Sequence, residues 1–261
     1  MLRNFFKLKE SGTDIRTEVI AGITTFMTMA YILVVNPDIL SSTGMDKNAL
    51  FSATVISAIA GTLVMALWAR LPFALAPGMG LNAFFAVTVV LGMGYSWQFA
   101  LTAVFLEGII FLILTAFNVR EIIVNAIPLN LKHAISVGIG LFIAFIGLQK
   151  SGVIVNDEVT LVALGDMGAH GIWITLFGLL LAGVLLAMKI RGALLIGIFA
   201  AALLGIPLGV THLPEGNWIT LPPSIAPIAF QFEFESIFSI DMLIVLFTFL
   251  FVDMFDTVGT L

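Results

Sequence analysis

The residues best placed to do chemistry are two carboxylates in the last apolar stretch, Ile240-Asp-Met-Leu-Ile-Val-Leu-Phe-Thr-Phe-Leu-Phe-Val-Asp-Met-Phe-Asp-Thr-Val-Gly-Thr-Leu261, where they occupy positions Asp253 and Asp256. On a helix starting at Asp241 they lie roughly 18 and 22 Å along the axis, near the middle or inner half of a hydrocarbon layer about 30 Å thick. A carboxylate at the bilayer centre costs roughly 2.5 to 3.5 kcal/mol on insertion scales. Spacing i, i+3 puts both on one helix face, so they can point into a shared cavity, accept hydrogen bonds from a ligand and carry a proton. The alternative is a structural pair bonded to hydroxyls of neighbouring helices.

A second place breaks the membrane rule. The stretch Leu71-Pro-Phe-Ala-Leu-Ala-Pro-Gly-Met-Gly-Leu-Asn-Ala-Phe-Phe85 places Pro72, Pro77, Gly78, Gly80 and Asn82 inside an apolar segment. Proline removes a backbone donor and pushes its predecessor to an extended conformation. This spacing predicts a broken span, extended over about Leu71 to Ala76 with a half-helix starting near Gly80. Irregular backbone at membrane depth is tolerated where protein or a water-filled cavity covers it. The half-helix start would offer N–H groups and the positive end of a dipole, with Asn82 beside it; a proline kink without a ligand is the other reading. Phe84 and Phe85 could stack on a flat ligand or serve as lipid and core contacts. Glu107, mid-way along the next apolar run, is a candidate proton-relay group or a structural hydrogen-bonding partner. Thr24, Thr25, Thr28 and Tyr31 form a polar stripe on the first run, read as small-residue packing.

The elements that must position these groups follow from composition. Of 261 residues, 60% are hydrophobic and 10% charged, and the mean hydropathy is +1.14, which excludes a water-soluble globule. Apolar runs of spanning length are expected at about Glu18 to Asn36, Ala49 to Ala69, Leu71 to Leu91, Trp97 to Phe117, His133 to Leu148, Ile172 to Met188, Ala193 to Val210 and Asp241 to Leu261. The first is full length and has no small-residue cleavage site, so it is expected to stay as a signal anchor. Counted on alternate sides, Arg3, Lys7, Lys9, Arg16, Arg70, Arg120, Lys132, Lys189 and Arg191 face only Lys47 and Lys150. That asymmetry puts the N-terminus in the cytoplasm, and it holds only if the broken segment crosses. Asp38, Asp46, Asp157, Glu158, Asp166, Glu215, Glu233, Glu235 and Asp241 are read as plain solvated charges of the opposite loops.

A net charge of −5 with no basic block gives nucleic acid no electrostatic footing. The absence of Cys excludes disulfides, iron–sulfur clusters and thiolate zinc sites. The scattered His133, His170 and His212 share no metal-site spacing and are read as interfacial.

The motifs Ala76-Pro-Gly-Met-Gly-Leu-Asn-Ala-Phe-Phe85 and Phe251-Val-Asp-Met-Phe-Asp-Thr-Val-Gly-Thr-Leu261 closely resemble the nucleobase-cation symporter-2 (NCS2) superfamily, in its AzgA-like branch of adenine/guanine/hypoxanthine permeases. Gly22-Ile-Thr-Thr-Phe-Met-Thr-Met-Ala-Tyr-Ile-Leu-Val-Val-Asn-Pro37 and Asn125-Ala-Ile-Pro128 are similar to the same branch. The resemblance runs the whole chain. It implies an all-α polytopic membrane protein, the first seven-span inverted repeat plus the eighth span of a 7+7 transporter. Residues 1–117 would form part of the moving core domain, 118–211 part of the gate domain, 212–240 an external loop and 241–261 the start of the second core half. It implies purine uptake coupled to protons by alternating access in the cell membrane, with no cofactor. By motif match, Asn82 and the backbone around Gly78 and Gly80 fall on the third-span binding element. Asp256 falls on the eighth-span acid that holds the base, with Asp253 its companion. The departure is length, because the tenth-span element and the family's second acidic binding residue are absent.

The residues read alone fit the same ligand. A purine is flat and carries N–H donors with carbonyl or ring-nitrogen acceptors. Carboxylates can accept from it, a half-helix start and Asn82 can donate to it, and an aromatic wall can stack on it. Another nucleobase, xanthine or uracil, on the same fold is the nearest alternative. An anion exchanger would be expected to place a cation at its site, and neither broken span has one. An intramembrane aspartyl protease needs its two Asp on separate helices, and a channel needs a continuous path, so no enzyme is expected. The partners expected are a purine, the lipid bilayer and, as for many such proteins, a second copy of the chain. The 261 residues alone are expected not to transport, because midplane sites form between two repeats.

Overall fold

The computed structural model describes residues 6, 8, 10, 12–190, 192–213 and 221–260. Arg3, Lys7, Lys9, Arg191, Glu215 and Leu261 of the sequence reading lie outside the described residues, as does the side chain of Arg120. In chain order the helices are α1 (Ile15–Met29), α2 (Ile32–Ser41), α3 (Lys47–Val64), α4 (Met79–Ala83), α5 (Trp97–Ala116), α6 (Val119–Ala126), α7 (Leu129–Lys150), α8 (His170–Ala187), α9 (Ala193–Gly205) and α10 (Ile240–Thr260). Among the described residues two stretches wind as π-helix, Met65–Ala69 at the end of α3 and Phe84–Gly92 continuing α4.

Helices Ile15–Ser41, Lys47–Ala69, Trp97–Ala116, Leu129–Lys150 and His170–Ala187 are long and apolar enough to cross a membrane, and Met79–Gly92 and Ala193–Gly205 are shorter apolar helices. Their surfaces ask for lipid. None of the residues of α7 is buried, and Val137 and Leu141 are more than half exposed; contiguous apolar exposure of this extent marks a membrane-facing surface. The chain is a mostly helical, multi-pass membrane protein.

Several details depart from the sequence reading. The first run does not stop at Asn36: α1 ends at Met29, a turn at Ala30 and Tyr31 follows, and α2 continues to Ser41 with Pro37 inside it. A proline inside a membrane helix is tolerated when side chains of neighbouring elements satisfy the freed backbone. The all-α expectation misses a small antiparallel hairpin, β1 (Ile154–Asp157) and β2 (Leu161–Leu164), with Ile154 opposite Leu164 and Asp157 opposite Leu161. Asp157 makes its turn. Its carboxylate accepts the Thr160 N–H at 2.7 Å, the Thr160 hydroxyl at 2.9 Å and the Val159 N–H at 2.9 Å. Those bonds, the Thr160 amide foremost, hold its carboxyl below the ordinary aspartate value.

Several of the loop acids read as plain solvated charges have definite partners. Asp38 pairs with Lys47 at 3.0 Å, and Asp46 accepts the Ala49 N–H at 2.7 Å to cap α3. Asp166 accepts the Gly168 N–H at 2.9 Å, and Glu233 is bound on two sides as described below. Short polar side chains compete for nearby backbone donors wherever a turn leaves them open.

Contacts divide the chain into two compact units. The first comprises Met1–Val34, Val55–Ala76 and Gly147–Pro222. In it α9 packs against α8 and also touches α1. The α8–α9 approach rests on small residues: a Cβ added to Gly178 would lie 2.9 Å from Ala201 Cβ, and one on Gly197 would lie 2.9 Å from Ala182 Cβ and 3.1 Å from the Gly178 carbonyl. The second unit comprises Val35–Thr54, Pro77–Ile146 and Pro223–Leu261. It contains a continuous buried cluster in which Phe85 and Val89 from the π-helix, Phe99 and Ala103 from α5, and Val245 and Phe249 from α10 interlock.

Candidate functional site

The chain is non-helical from Arg70 to Gly78 and becomes helical at Met79. Two local devices produce the break. Arg70 adopts a left-handed conformation (φ 56°) that ends the π turn, with the Leu71 N–H closing back on the Met65 carbonyl at 3.2 Å. Further along, Thr62 of α3 holds the irregular segment: its hydroxyl accepts the Leu75 N–H at 3.0 Å and donates to the Leu75 carbonyl at 3.3 Å. Backbone groups that no helix satisfies thus find a side-chain partner, as an apolar surrounding requires.

In the second unit the half-helix starts beside Asp256. Gly78 is extended (φ −73°, ψ 128°) and caps α4. A Cβ added there would lie 2.7 Å from Asp256 Oδ2, and one on Gly80 would lie 3.5 Å from Oδ1. Any side chain at 78 would therefore displace the carboxylate, so glycine is what allows Asp256 to approach the backbone at the helix start. Helix N-termini carry unpaired N–H groups and positive partial charge, which favours a carboxylate there. Asp256 is half-buried, as is Asp253 one turn before it on α10.

Asn82 sits one turn into the half-helix and is held by a chain of polar groups. Its Nδ2 donates to Asn36 Oδ1 of α2, Asn36 Nδ2 donates to Thr54 Oγ1 of α3 at 2.7 Å, and the Thr54 hydroxyl donates to the Leu50 carbonyl at 2.7 Å. Each group donates onward, so the row fixes which way the Asn82 amide points. Asn36 and Thr54 are both buried. The sequence reading missed both. The signal was present in an amide directly before Pro37 in an apolar run, since a buried amide in a membrane helix must find a partner.

Beside Asn82 lies a cavity of about 540 Å³. Pro77, Gly78, Asn82 and Phe85 line it from the half-helix, Glu107 from α5, and Phe249 from α10. Ile225, Ile228, Phe230 and Phe232 close another side from the segment before α10. That segment is fastened down. Glu233 Oε2 accepts the Ser96 hydroxyl at 2.5 Å, the Glu233 N–H donates to Thr102 Oγ1 at 2.8 Å, and the Phe232 ring lies 4.7 Å from that of Phe105. Phe85 is buried at the cavity wall. Phe84 is spoken for: its ring meets Phe249 edge-on at 4.9 Å and 84°. Of the residues singled out from sequence, Gly78, Asn82, Phe85 and Glu107 thus meet at the cavity. Asp256 lies against Gly78 and Gly80, and Asp253 is the electrostatic neighbour of Glu107.

A carboxylate set against the start of a helix that follows an irregular segment, near a cavity lined by apolar side chains, is an arrangement that many membrane transporters use for a ligand site. Residues 16–261 match the family model Xan_ur_permease, described as "Permease family", and the chain belongs to that family. MJ0326 of Methanocaldococcus jannaschii is 49% identical over 260 residues, covering 100% of this chain and 59% of the relative. The adenine permease AdeP of Escherichia coli K12 is 43% identical over 261 residues, 100% of this chain and 58% of the relative. The guanine/hypoxanthine permease PbuG of Bacillus subtilis 168 is 45% identical over 271 residues, 100% of this chain and 61% of the relative. The chain therefore spans about three fifths of the length of these relatives.

Proposed function

We propose that the protein, in its full-length context, is a purine nucleobase permease that takes up hypoxanthine, guanine or adenine together with protons by alternating access. The observation that carries the reading is the placement of the Asp256 carboxylate against Gly78 and Gly80 at the start of the half-helix. The names of AdeP and PbuG, whose sequences match along this whole chain, support the substrate class. In this reading Asp256 accepts N–H groups of the base, the helix start at Gly78 and Gly80 and the oriented amide of Asn82 meet its acceptors, and Phe85 covers its face. Asp253 tunes Asp256. Asp256, Asp253 and Glu107 are the groups able to carry the coupled proton, and the chemistry needs no cofactor.

The architecture proposed with it is two inverted seven-span repeats in the cell membrane with a cytoplasmic N-terminus. The present residues supply the first repeat and the opening span of the second. The Lys/Arg asymmetry supports that orientation.

The test is uptake of radiolabelled hypoxanthine, guanine, adenine and uracil into cells lacking their own purine transporters, with and without a protonophore. Concentrative uptake of one or more purines that collapses with the protonophore is expected. Selective uptake of uracil would move the substrate to another nucleobase, and uptake that only equilibrates would point to a channel.

A further inference from the structure

The cavity in the second unit is apolar except at two of the side chains that line it, Asn82 and Glu107. Asn82 already donates to Asn36. Glu107 differs. It is 6% exposed, and its Oε1 is buried with no hydrogen-bond partner among the described residues. Buried polar atoms are paired in the great majority of cases, and one that is not has a structural, catalytic or ligand-related reason. The cavity that Glu107 lines offers no polar side chain besides Asn82 among the described residues: Leu101 and Val104 line it from α5, Phe85 from the π-helix and Phe249 from α10. The charge that acts on it is Asp253, another acid. An apolar cavity of several hundred cubic ångströms with a few convergent polar groups is the usual form of a small-molecule site.

We propose that Glu107 contacts the transported base directly, its unpaired Oε1 accepting an N–H from the six-membered-ring edge of a purine held in this cavity. The proposal rests on the purine reading above and adds to it a specificity-determining residue on α5, distinct from Asp256 on α10. An oxygen of a carboxyl group accepts in either protonation state, so the contact does not depend on where the coupled proton resides. All three purines carry an imidazole N–H, but the edge of the six-membered ring differs: adenine presents its 6-amino group, hypoxanthine its N1–H, and guanine N1–H with a 2-amino group. A single acceptor in an apolar wall distinguishes them strongly, because a base whose N–H meets no acceptor there leaves a buried donor unpaired.

The experiment measures competition by adenine, guanine, hypoxanthine and their singly N-methylated derivatives against radiolabelled purine uptake. The full-length protein is compared with its Glu107→Gln, Glu107→Leu and Glu107→Met variants, with accumulation in the membrane followed by immunoblot. Glu107→Leu is expected to weaken the preferred base about tenfold to a hundredfold, and Glu107→Gln, which keeps an acceptor, to return it to within about threefold of wild type. One methylated derivative should bind the wild type at least about tenfold more weakly than its parent base, yet bind Glu107→Leu no more weakly than the parent, since the contact it blocks is already gone. Glu107→Met gives the same readout with an unbranched chain. Wild-type affinities in Glu107→Leu or Glu107→Met, or methylation penalties identical in wild type and variants, overturn the proposal. So does failure of both apolar variants to accumulate while Glu107→Gln does, which places the residue's role in folding. Wild-type protein that takes up no purine defeats the underlying purine reading instead, so the two failures are distinct.

Discussion

In the first unit Gly178 and Gly197 let α8 and α9 approach until an added methyl group on either would collide with Ala201 or Ala182; in the second, Phe85, Phe99 and Phe249 interlock in a buried cluster next to a cavity that contains two polar side chains. The first arrangement is what helices in lipid do when nothing but packing is asked of them. Lipid tails are as apolar as leucine, so association comes from close backbone approach, and small residues permit it. The second keeps bulky side chains inside and leaves a hollow, which lipid packing alone does not favour. It also hides Asn36, Thr54, Thr102 and Glu107 from the membrane. The comparison teaches where a site can be built: among the described residues the buried polar side chains gather in the unit whose bulky core encloses them, as an apolar surrounding requires.

The difference can be tested from the most damaging change downward. Phe249→Ala removes a ring that is 1% exposed and touches both Phe84 and Phe85. It should cost about 3 to 5 kcal/mol, seen as a large fall in melting temperature of the purified protein together with loss of purine binding. An unchanged melting temperature would show that the second unit does not depend on its interlocked core. Gly197→Leu forces side-chain atoms into the α8–α9 contact and should cost about 1 to 3 kcal/mol. It should lower the melting temperature while leaving purine affinity intact. Equal damage to affinity would dissolve the contrast between the units. The smallest change on stability is expected from Asn36→Ala, which strips the acceptor from Asn82 and the donor from Thr54. A loss of about 1 kcal/mol is expected, with the effect weighted toward affinity because Asn82 loses its fixed orientation. A variant that melts early yet binds normally would assign that polar row to structure alone.

Much of this was legible in sequence because membranes impose few rules and enforce them. Pro72, Pro77 and the glycines between 78 and 80 marked the break, and the half-helix begins at Met79, one residue before the expected Gly80. Asp256 stood out because nothing else justified its insertion cost, and the structure brings it against the same glycines. What stayed hidden depends on partners distant in the chain. Asn36 is 46 residues from Asn82, and Thr102 is 131 from Glu233; no local pattern links such pairs. The β1–β2 hairpin was obscured because Ile154–Asp157 and Leu161–Leu164 are four residues each, too short for alternation to stand out from the apolar background. The expected end of the first run, Asn36, falls just before Pro37; proline usually ends a helix, but α2 carries on through it.

The central claim is that a purine is held by the Asp256 carboxylate where the half-helix begins. Its most direct test is equilibrium binding of hypoxanthine, guanine and adenine to purified full-length protein, wild type against Asp256→Asn. Asparagine keeps the volume and removes the charge-assisted acceptor, which is about twice as strong as a neutral one. The account predicts that affinity for the preferred purine falls about tenfold to a hundredfold with melting temperature and membrane accumulation preserved. Near-normal purine affinity in Asp256→Asn would contradict it.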